Sequence, residues 1–200
     1  MGSFSKKIIV IVAHPSVGSF NFAIAQTVVE TLQAMDHAVT FYDLYRANFN
    51  PVVPANEIRK GGYVDPTILT YCDEVASCDA MIFIHPNWWG MPPAILTGWI
   101  DRVIRPGVAY RFVDGDSGEG VPEGLLKGKT VLVINTSDTP DEREQKLFGD
   151  PLDRIWKKCV FDFCGIDNCH RKVFNIVVTS TPDQRAKWLG ETRELVASLF

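Results

Sequence analysis

The chain has 200 residues and a mass of 22.4 kDa, the size of one domain with room for a real core. Hydrophobic residues make up 46% and charged residues 22%, ordinary for a globular protein. A net charge of −4 and a pI near 5.6 lack the basic face that nucleic acid demands, and no run approaches the roughly 18 apolar residues of a membrane span.

Strand and helix patterns alternate along the chain. Residues 7–13 form a continuous apolar run, the mark of a strand buried on both faces. Residues 21–35 carry helical periodicity through Phe22, Ile24, Ala25, Val28, Val29 and Leu32. Further strands are predicted at 38–42, 80–84, 130–135 and 173–178, and further helices at 67–78, 93–104, 152–164 and 182–199. Five strands separated by helices mean parallel crossovers and an α/β, doubly wound sheet. Segments 43–65 and 105–127 are long loops rich in Pro and Gly, read as lids or interface segments. With no repeat and no linker, residues 1–200 are read as one domain.

The N-terminal Met1-Gly2-Ser3-Phe4 leads through Lys6-Lys7 straight into the first strand, without the apolar region and cleavage site of a signal peptide. Lys6 stands where a myristoylation motif opening on Gly2 needs Ser or Thr. The five cysteines Cys72, Cys78, Cys159, Cys164 and Cys169 are odd in number and form no CxxC pair, which suits reduced thiols and a cytoplasmic location. Cys164, Cys169 and His170 match no zinc spacing, so no metal is expected. Cys159 and Cys164 read as buried helix positions.

In a doubly wound sheet, ligands sit beyond the carboxyl ends of the strands. The loops to inspect are therefore 14–21, 85–92 and 136–148. In the first, the helix start beside His14, Ser16, Ser19 and Asn21 makes an anion site for a phosphate; the plainer alternative is that Ser19 only caps the helix. In the second, Trp88 and Trp89 share a tight turn with Pro86, Asn87 and Gly90, where two large rings are hard to bury. A pocket wall for something flat is the favoured reading, with a packed pair or a dimer contact as alternatives. Trp99 shares a helix face with Ile95, Leu96, Ile100 and Val103 and reads as core or interface. His85 reads as packing beneath the pocket, and His37 and His170 as element edges.

Other chemistries lack their motifs. Gly118, Gly120 and Gly124 follow no strand and make no dinucleotide fingerprint, and Gly128-Lys129-Thr130 precedes a strand where a phosphate loop must follow one. The calcium-like Asp114-Gly115-Asp116-Ser117-Gly118 has Glu119 where the turn glycine belongs. No GxSxG elbow occurs. Asp73-Glu74 and Asp141-Glu142 read as helix-start or solvent-face charges. Without a nucleophile or an evident general base, no residue is assigned as catalytic, and the chemistry falls to a bound cofactor.

Motifs in order along nearly the whole chain resemble the flavodoxin-like NAD(P)H:quinone oxidoreductase (DT-diaphorase-like) family. They are Ala13-His14 with Ser19-Phe20-Asn21, then Asp43-Leu44-Tyr45 with Asn48-Phe49-Asn50-Pro51, then Pro86 and Trp89. Next come Pro93-Ala94-Ile95-Leu96-Thr97-Gly98-Trp99 with Arg102-Val103, then Ala109-Tyr110, Gly149-Asp150, Phe163-Cys164-Gly165, and Thr181-Pro182 with Arg185. The resemblance implies a flavodoxin-like three-layer fold with a five-stranded parallel sheet and a tightly bound flavin. His14, Ser19, Phe20 and Asn21 would hold its phosphate. Pro86, Asn87, Trp88, Trp89 and Gly90 would line one edge of the isoalloxazine, and Asn135, Thr136, Ser137 and Asp138 the other.

In FAD-binding members an Asp at the position of Asp101 and an Arg at that of Arg185 approach the adenine half, which favours FAD; shorter bacterial relatives with FMN keep that alternative open. The resemblance also implies a homodimer with a site at the interface, where Tyr110 and Phe112 roof one flavin and Phe163 reaches in from the partner. Trp89 and these rings would line the substrate site. Ping-pong transfer of two electrons from NAD(P)H to a quinone or similar electron-poor acceptor is the implied reaction. Alternatives are a regulatory subunit of a potassium efflux transporter and a flavodoxin-type electron carrier. One departure stands out: animal members place a Tyr and a His in the loop after the fourth strand, whereas residues 139–148 hold neither and Phe148 falls near the His position. Backbone N–H groups, with Arg143 or Lys146, are expected to compensate.

Overall fold

The computed structural model describes residues 5–59, 61–113, 120 and 122–200. The rejected calcium-like segment 114–118, its Glu119, and the N-terminal Met1-Gly2-Ser3-Phe4 lie outside the described residues.

The apolar runs become the strands of one parallel sheet. β1 (Lys7–Val12), β2 (Ala38–Asp43), β3 (Ala80–Pro86), β6 (Thr130–Ser137) and β7 (Asn168–Asn175) lie in the order β2-β1-β3-β6-β7. The intervening β4 (Tyr110–Arg111) and β5 (Glu123–Gly124) pair as a separate antiparallel ribbon. This is the flavodoxin-like order, whose direction of winding reverses between β1 and β3. All seven residues of β3 are buried, as a continuous apolar strand requires.

Helices cover both faces. α1 (Phe20–Ala34) and α7 (Pro182–Leu199) close one face over Ile8, Val10, Val12, Ile82, Ile84 and Ile134. α3 (Pro66–Ser77), α4 (Ala94–Val103) and the segment from α6 (Pro151–Arg154) close the other over Ile9, Ile11, Met81, Phe83 and Val133. Trp99 is fully buried there, edge-on to Tyr71 and Phe83, and so belongs to the core. No helix among the described residues is long and apolar enough to cross a membrane.

Three sequence expectations need correction. The fifth strand covers Asn168–Asn175, not 173–178, because its first half is polar and pairs at the sheet edge with Thr130 to Val133. It stops where Ile176 takes φ +61, a conformation that β-branched residues rarely adopt. The helix expected at 152–164 changes winding: α6 passes into a π-helix over Ile155–Asp162. Its buried rings Trp156 and Phe161, five residues apart, stack at 5.4 Å, matching the wider π repeat. Cys159 falls on the outer side and is exposed, while Cys164 is buried as expected. The long loops also hold structure: α2 (Ala55–Ile58) in the first and the β4–β5 ribbon in the second.

α2 is held by a buried ion pair between Glu57 and Arg102 of α4, whose side chains are 3% and 6% exposed. Arg102 Nε donates to Glu57 Oε2 at 3.1 Å and Nη1 to the Asn50 carbonyl at 2.7 Å. α4 approaches this loop so closely that a Cβ on Gly98 would lie 2.3 Å from the Pro51 carbonyl oxygen. Removing one partner of a buried pair leaves an uncompensated charge. Glu57→Ala is therefore expected to destabilise the protein by about 3–5 kcal/mol in urea unfolding. Arg111→Ala, which opens the exposed Arg111–Glu123 pair, should leave the midpoint unchanged.

Candidate active site

The loops after β1, β3 and β6 meet over the carboxyl ends of the strands and enclose a cleft of about 860 Å³, within the usual range for a cofactor or substrate site. Thirteen of the eighteen residues expected from the sequence line it: His14, Ser19, Phe20, Asn21, Pro86, Asn87, Trp88, Trp89, Gly90, Thr136, Ser137, Asp138 and Arg185. The other expected residues lie elsewhere, as described below.

The first wall is the start of α1. Ser19 caps it by accepting from the Phe22 N–H at 3.4 Å and also lines the cleft. The N–H groups of Phe20 and Asn21, in the first turn, have no intrahelical acceptor. His14 Nδ1 lies 3.1 Å from both the Ser16 N–H and the Ser16 carbonyl, which holds the ring against its own loop. Asn21 Nδ2 donates to Thr136 Oγ1 at 3.0 Å. Its Oδ1 is buried without a partner, a polar atom that a bound ligand can satisfy.

The second wall is a two-residue hairpin turn. Trp88 and Met91 exchange N–H···O bonds of 3.1 and 3.0 Å, with Trp89 at φ +59 and Gly90 at φ +73. Gly90 is required twice over: the angle favours glycine, and a Cβ would meet Pro151 Cγ at 2.5 Å. Trp89 is 96% exposed, so its ring gains nothing from the core for its strained backbone. Asn87 fixes the turn, accepting from the Gly90 N–H at 2.9 Å while its Nδ2 donates to Glu144 Oε1 at 3.3 Å.

The third wall is the end of β6 and the turn beyond it. Asp138 Oδ1 accepts from the Val178 N–H at 2.8 Å, and Ser137 Oγ accepts from the Thr139 N–H at 3.1 Å. The chain then forms α5 (Asp141–Arg143) and a π-turn over Glu144–Phe148. Arg143, Glu144 and Phe148 line the cleft, although no motif marked them. Val177 and Val178 also line it, hidden from sequence reading by the misplaced fifth strand. Arg143 stands over the Phe148 ring at 5.7 Å, whereas Lys146 pairs with Glu142 at 2.6 Å on the exposed side. Only Arg143 of the two expected cations is placed to act on a ligand.

Several expected site residues are displaced. Asn135 turns to the opposite sheet face from Thr136, as strand alternation dictates, and its Oδ1 accepts from Arg171 Nε at 2.8 Å. Asp101 lines a separate cleft of about 630 Å³ with Glu57, Arg105 and Phe112. Tyr110, Phe112 and Phe163 stand outside the main cleft in one cluster: Tyr110 meets Phe163 at 4.9 Å and Phe112 at 5.9 Å between ring centres. Within one chain, Tyr110 and Phe163 therefore stand side by side on one surface. The β4–β5 ribbon carrying Tyr110 packs on residues 164–165, next to Phe163, where a Cβ on Gly124 would meet the Cys164 backbone at 2.3 Å. Among the described residues no His, Cys, Asp and Glu gather as a metal site.

Beneath the cleft His85 is fully buried, as expected. Its Nδ1–H donates to the Pro86 carbonyl at 2.8 Å and its Nε2 accepts from Trp156 Nε1 at 3.0 Å. Burial, reinforced by the Arg171 charge, pushes this imidazole down to about 4.

A family model described as a flavodoxin-like fold matches residues 6–196. An uncharacterized NAD(P)H oxidoreductase of Haemophilus influenzae is 34% identical over 83% of this chain and 82% of its own. The ribosyldihydronicotinamide dehydrogenase (quinone) of Rattus norvegicus is 30% identical over 98% and 92%. The chain belongs to the flavodoxin-like NAD(P)H:quinone oxidoreductase family. Among solved structures of this fold, Smu.1420 from Streptococcus mutans superposes with a TM-score of 0.84 at 30% identity, covering 96% of this chain and 100% of that one.

Two measurements follow from this geometry. A base held neutral in the fold contributes stability above its unfolded pKa of about 6.5, and loses it as pH falls toward about 4. Stability should drop by roughly 3 kcal/mol across that window, and His85→Gln should flatten the drop in pH-dependent urea unfolding. Trp89→Asn would create an Asn-Gly hairpin turn suited to both backbone angles. It is expected to raise stability by about 1 kcal/mol in the same assay.

Proposed function

We propose that the protein binds a flavin in this cleft and is an NAD(P)H-dependent oxidoreductase that reduces quinones or similar electron-poor acceptors. The observation that carries the reading is the pairing of an anion-binding helix start with a flat-walled cleft in one continuous space. His14, Ser19 and the first-turn N–H groups of α1 suit a phosphate, and the unpartnered Asn21 Oδ1 offers an acceptor beside it. Pro86 to Gly90 on one side and Thr136 to Asp138 on the other suit the two edges of a ring system. When bound, the flavin supplies the two-electron chemistry that the side chains lack. Trp89 gives the nicotinamide and then the acceptor a flat surface to stack on, at the exposed mouth of the cleft. Arg143 supplies positive charge on the third wall, where animal members use Tyr and His.

The flavin is read as FAD, on the residue types at Asp101 and Arg185. Arg185 stands in the cleft wall, its Nε on Ser180 Oγ at 2.8 Å. Asp101, in a separate cleft of the same chain, would reach the adenine half only from a partner subunit. The same holds for Tyr110, Phe112 and Phe163, so the active form is read as a homodimer in which one protomer's aromatic cluster roofs the other's cleft. Phe112 and Phe163 are 48% and 40% exposed, which supports a surface awaiting a partner. Five thiols without a disulfide suit a cytoplasmic setting. The transporter-subunit alternative draws no support, since the relatives above carry oxidoreductase names.

Purified protein should bind flavin, released and identified as FAD by chromatography, and should oxidise NAD(P)H with a quinone in parallel-line kinetics. Asn21→Ala should weaken flavin binding about tenfold, read by fluorescence quenching. Protein that quenches neither FMN nor FAD fluorescence sinks the proposal.

A further inference from the structure

We propose that Glu144 is the proton store of the cleft, taking up a proton when the bound flavin is reduced and giving it up on reoxidation. The inference rests on the flavin reading above and deepens it. Glu144 opens the π-turn of the third wall, lines the cleft and is 7% exposed. Oε1 is occupied by Asn87 Nδ2 at 3.3 Å. Asn87 is itself held in place by the Gly90 N–H on its Oδ1. Oε2 has no partner among the described residues.

The side chain is buried but for its face on the cleft, and its only side-chain hydrogen bond among the described residues is the one from Asn87. Nearby cations are committed or distant from its oxygens. Arg143 lies over Phe148, Arg185 binds Ser180 and Val177, and Lys146 pairs with exposed Glu142. Arg171, behind the wall, is taken by Asp150, whose side chain also accepts from Gln145. His14 and Asp138 complete the titratable groups of the cleft, and neither bonds Glu144. Asp150 meets Glu144 only through its backbone N–H, on the Glu144 carbonyl at 3.2 Å.

Hydride transfer from NAD(P)H brings two electrons and one proton to the cofactor, NAD(P)⁺ leaves, and one negative charge is added to the cleft. That charge beside an ionised Glu144 is a like-charge pair in a buried site, which favours protonation of the carboxylate. Glu144 then takes the second proton from solvent. When a quinone accepts the hydride it becomes a hydroquinone anion, and the Glu144 proton passes to that anion, so two electrons and two protons leave the cleft and Glu144 is ionised again. This supplies the proton that the absent Tyr and His would otherwise manage.

The test is the reduction equilibrium of the flavin-loaded protein, titrated spectroscopically across roughly pH 6 to 8. For two electrons and two protons, the equilibrium constant should fall ~100-fold per pH unit in the wild type; in Glu144→Gln, which keeps the Asn87 contact, it should fall only ~10-fold. The wild-type reduced spectrum should be that of the anionic ring, with the second proton on the protein. A wild-type slope of ~10-fold, a neutral reduced ring, or an unchanged slope in Glu144→Gln overturns the proposal. If the variant does not hold flavin, the wild-type slope and spectrum still decide. Wild-type protein that takes up no flavin overturns the functional reading itself, whereas a one-proton slope overturns only the role of Glu144.

Discussion

Thr136 ties the site together. Its carbonyl accepts from the Asn87 N–H at 2.7 Å and its Oγ1 from Asn21 Nδ2 at 3.0 Å. One residue at the end of β6 therefore joins the loops after β1, β3 and β6. The parallel register makes this possible by setting Pro86 beside Thr136. Loops from separated parts of the sequence become one rigid floor, and rigidity is what a site must have to hold a ring within transfer distance of its partner.

Around that floor the chain departs from local preference. Trp89, Asp150 and Ile176 all take positive φ, each at a cost that surrounding contacts must over-determine. Asp150 is fixed by Arg171 at 2.6 Å and by Gln145 at 3.1 Å. Ile176 turns the chain so that Val177 bonds Ser137 and Val178 bonds Asp138, placing both valines in the wall. Trp89 has no such support from its ring, which points to selection for what the ring meets rather than for stability.

The buried polar groups form two tiers. Arg102 with Glu57, and Arg171 with Asp150, are paired charges that lock α2 and the third wall in place. His85 with Trp156 is a neutral pair beneath the cleft. Glu144 and Asn21 are different, since each keeps an oxygen unspent toward the same space.

Much of the architecture was legible in the residues. Continuous apolar runs separated by amphipathic stretches allow little but a parallel sheet between two helical layers, because both faces of such strands must be covered. Ser19 at a helix start and the paired tryptophans in a Pro-Asn-Gly turn likewise mark two of the loops that meet at the cleft. The polar first half of β7 was not legible, because an edge strand satisfies Arg171 by pairing it with Asp150 and Asn135 rather than by the apolar pattern that marks a strand. Nor was the face chosen by Asn135, the shared cluster of Tyr110 and Phe163, or the arrival of Glu144 in the cleft. Local periodicity determines which segments become strands and helices and which loops crown them. Only tertiary structure decides which side chains from distant segments meet, because those contacts depend on strand register, on π-winding and on packing between loops that share no neighbourhood in the sequence.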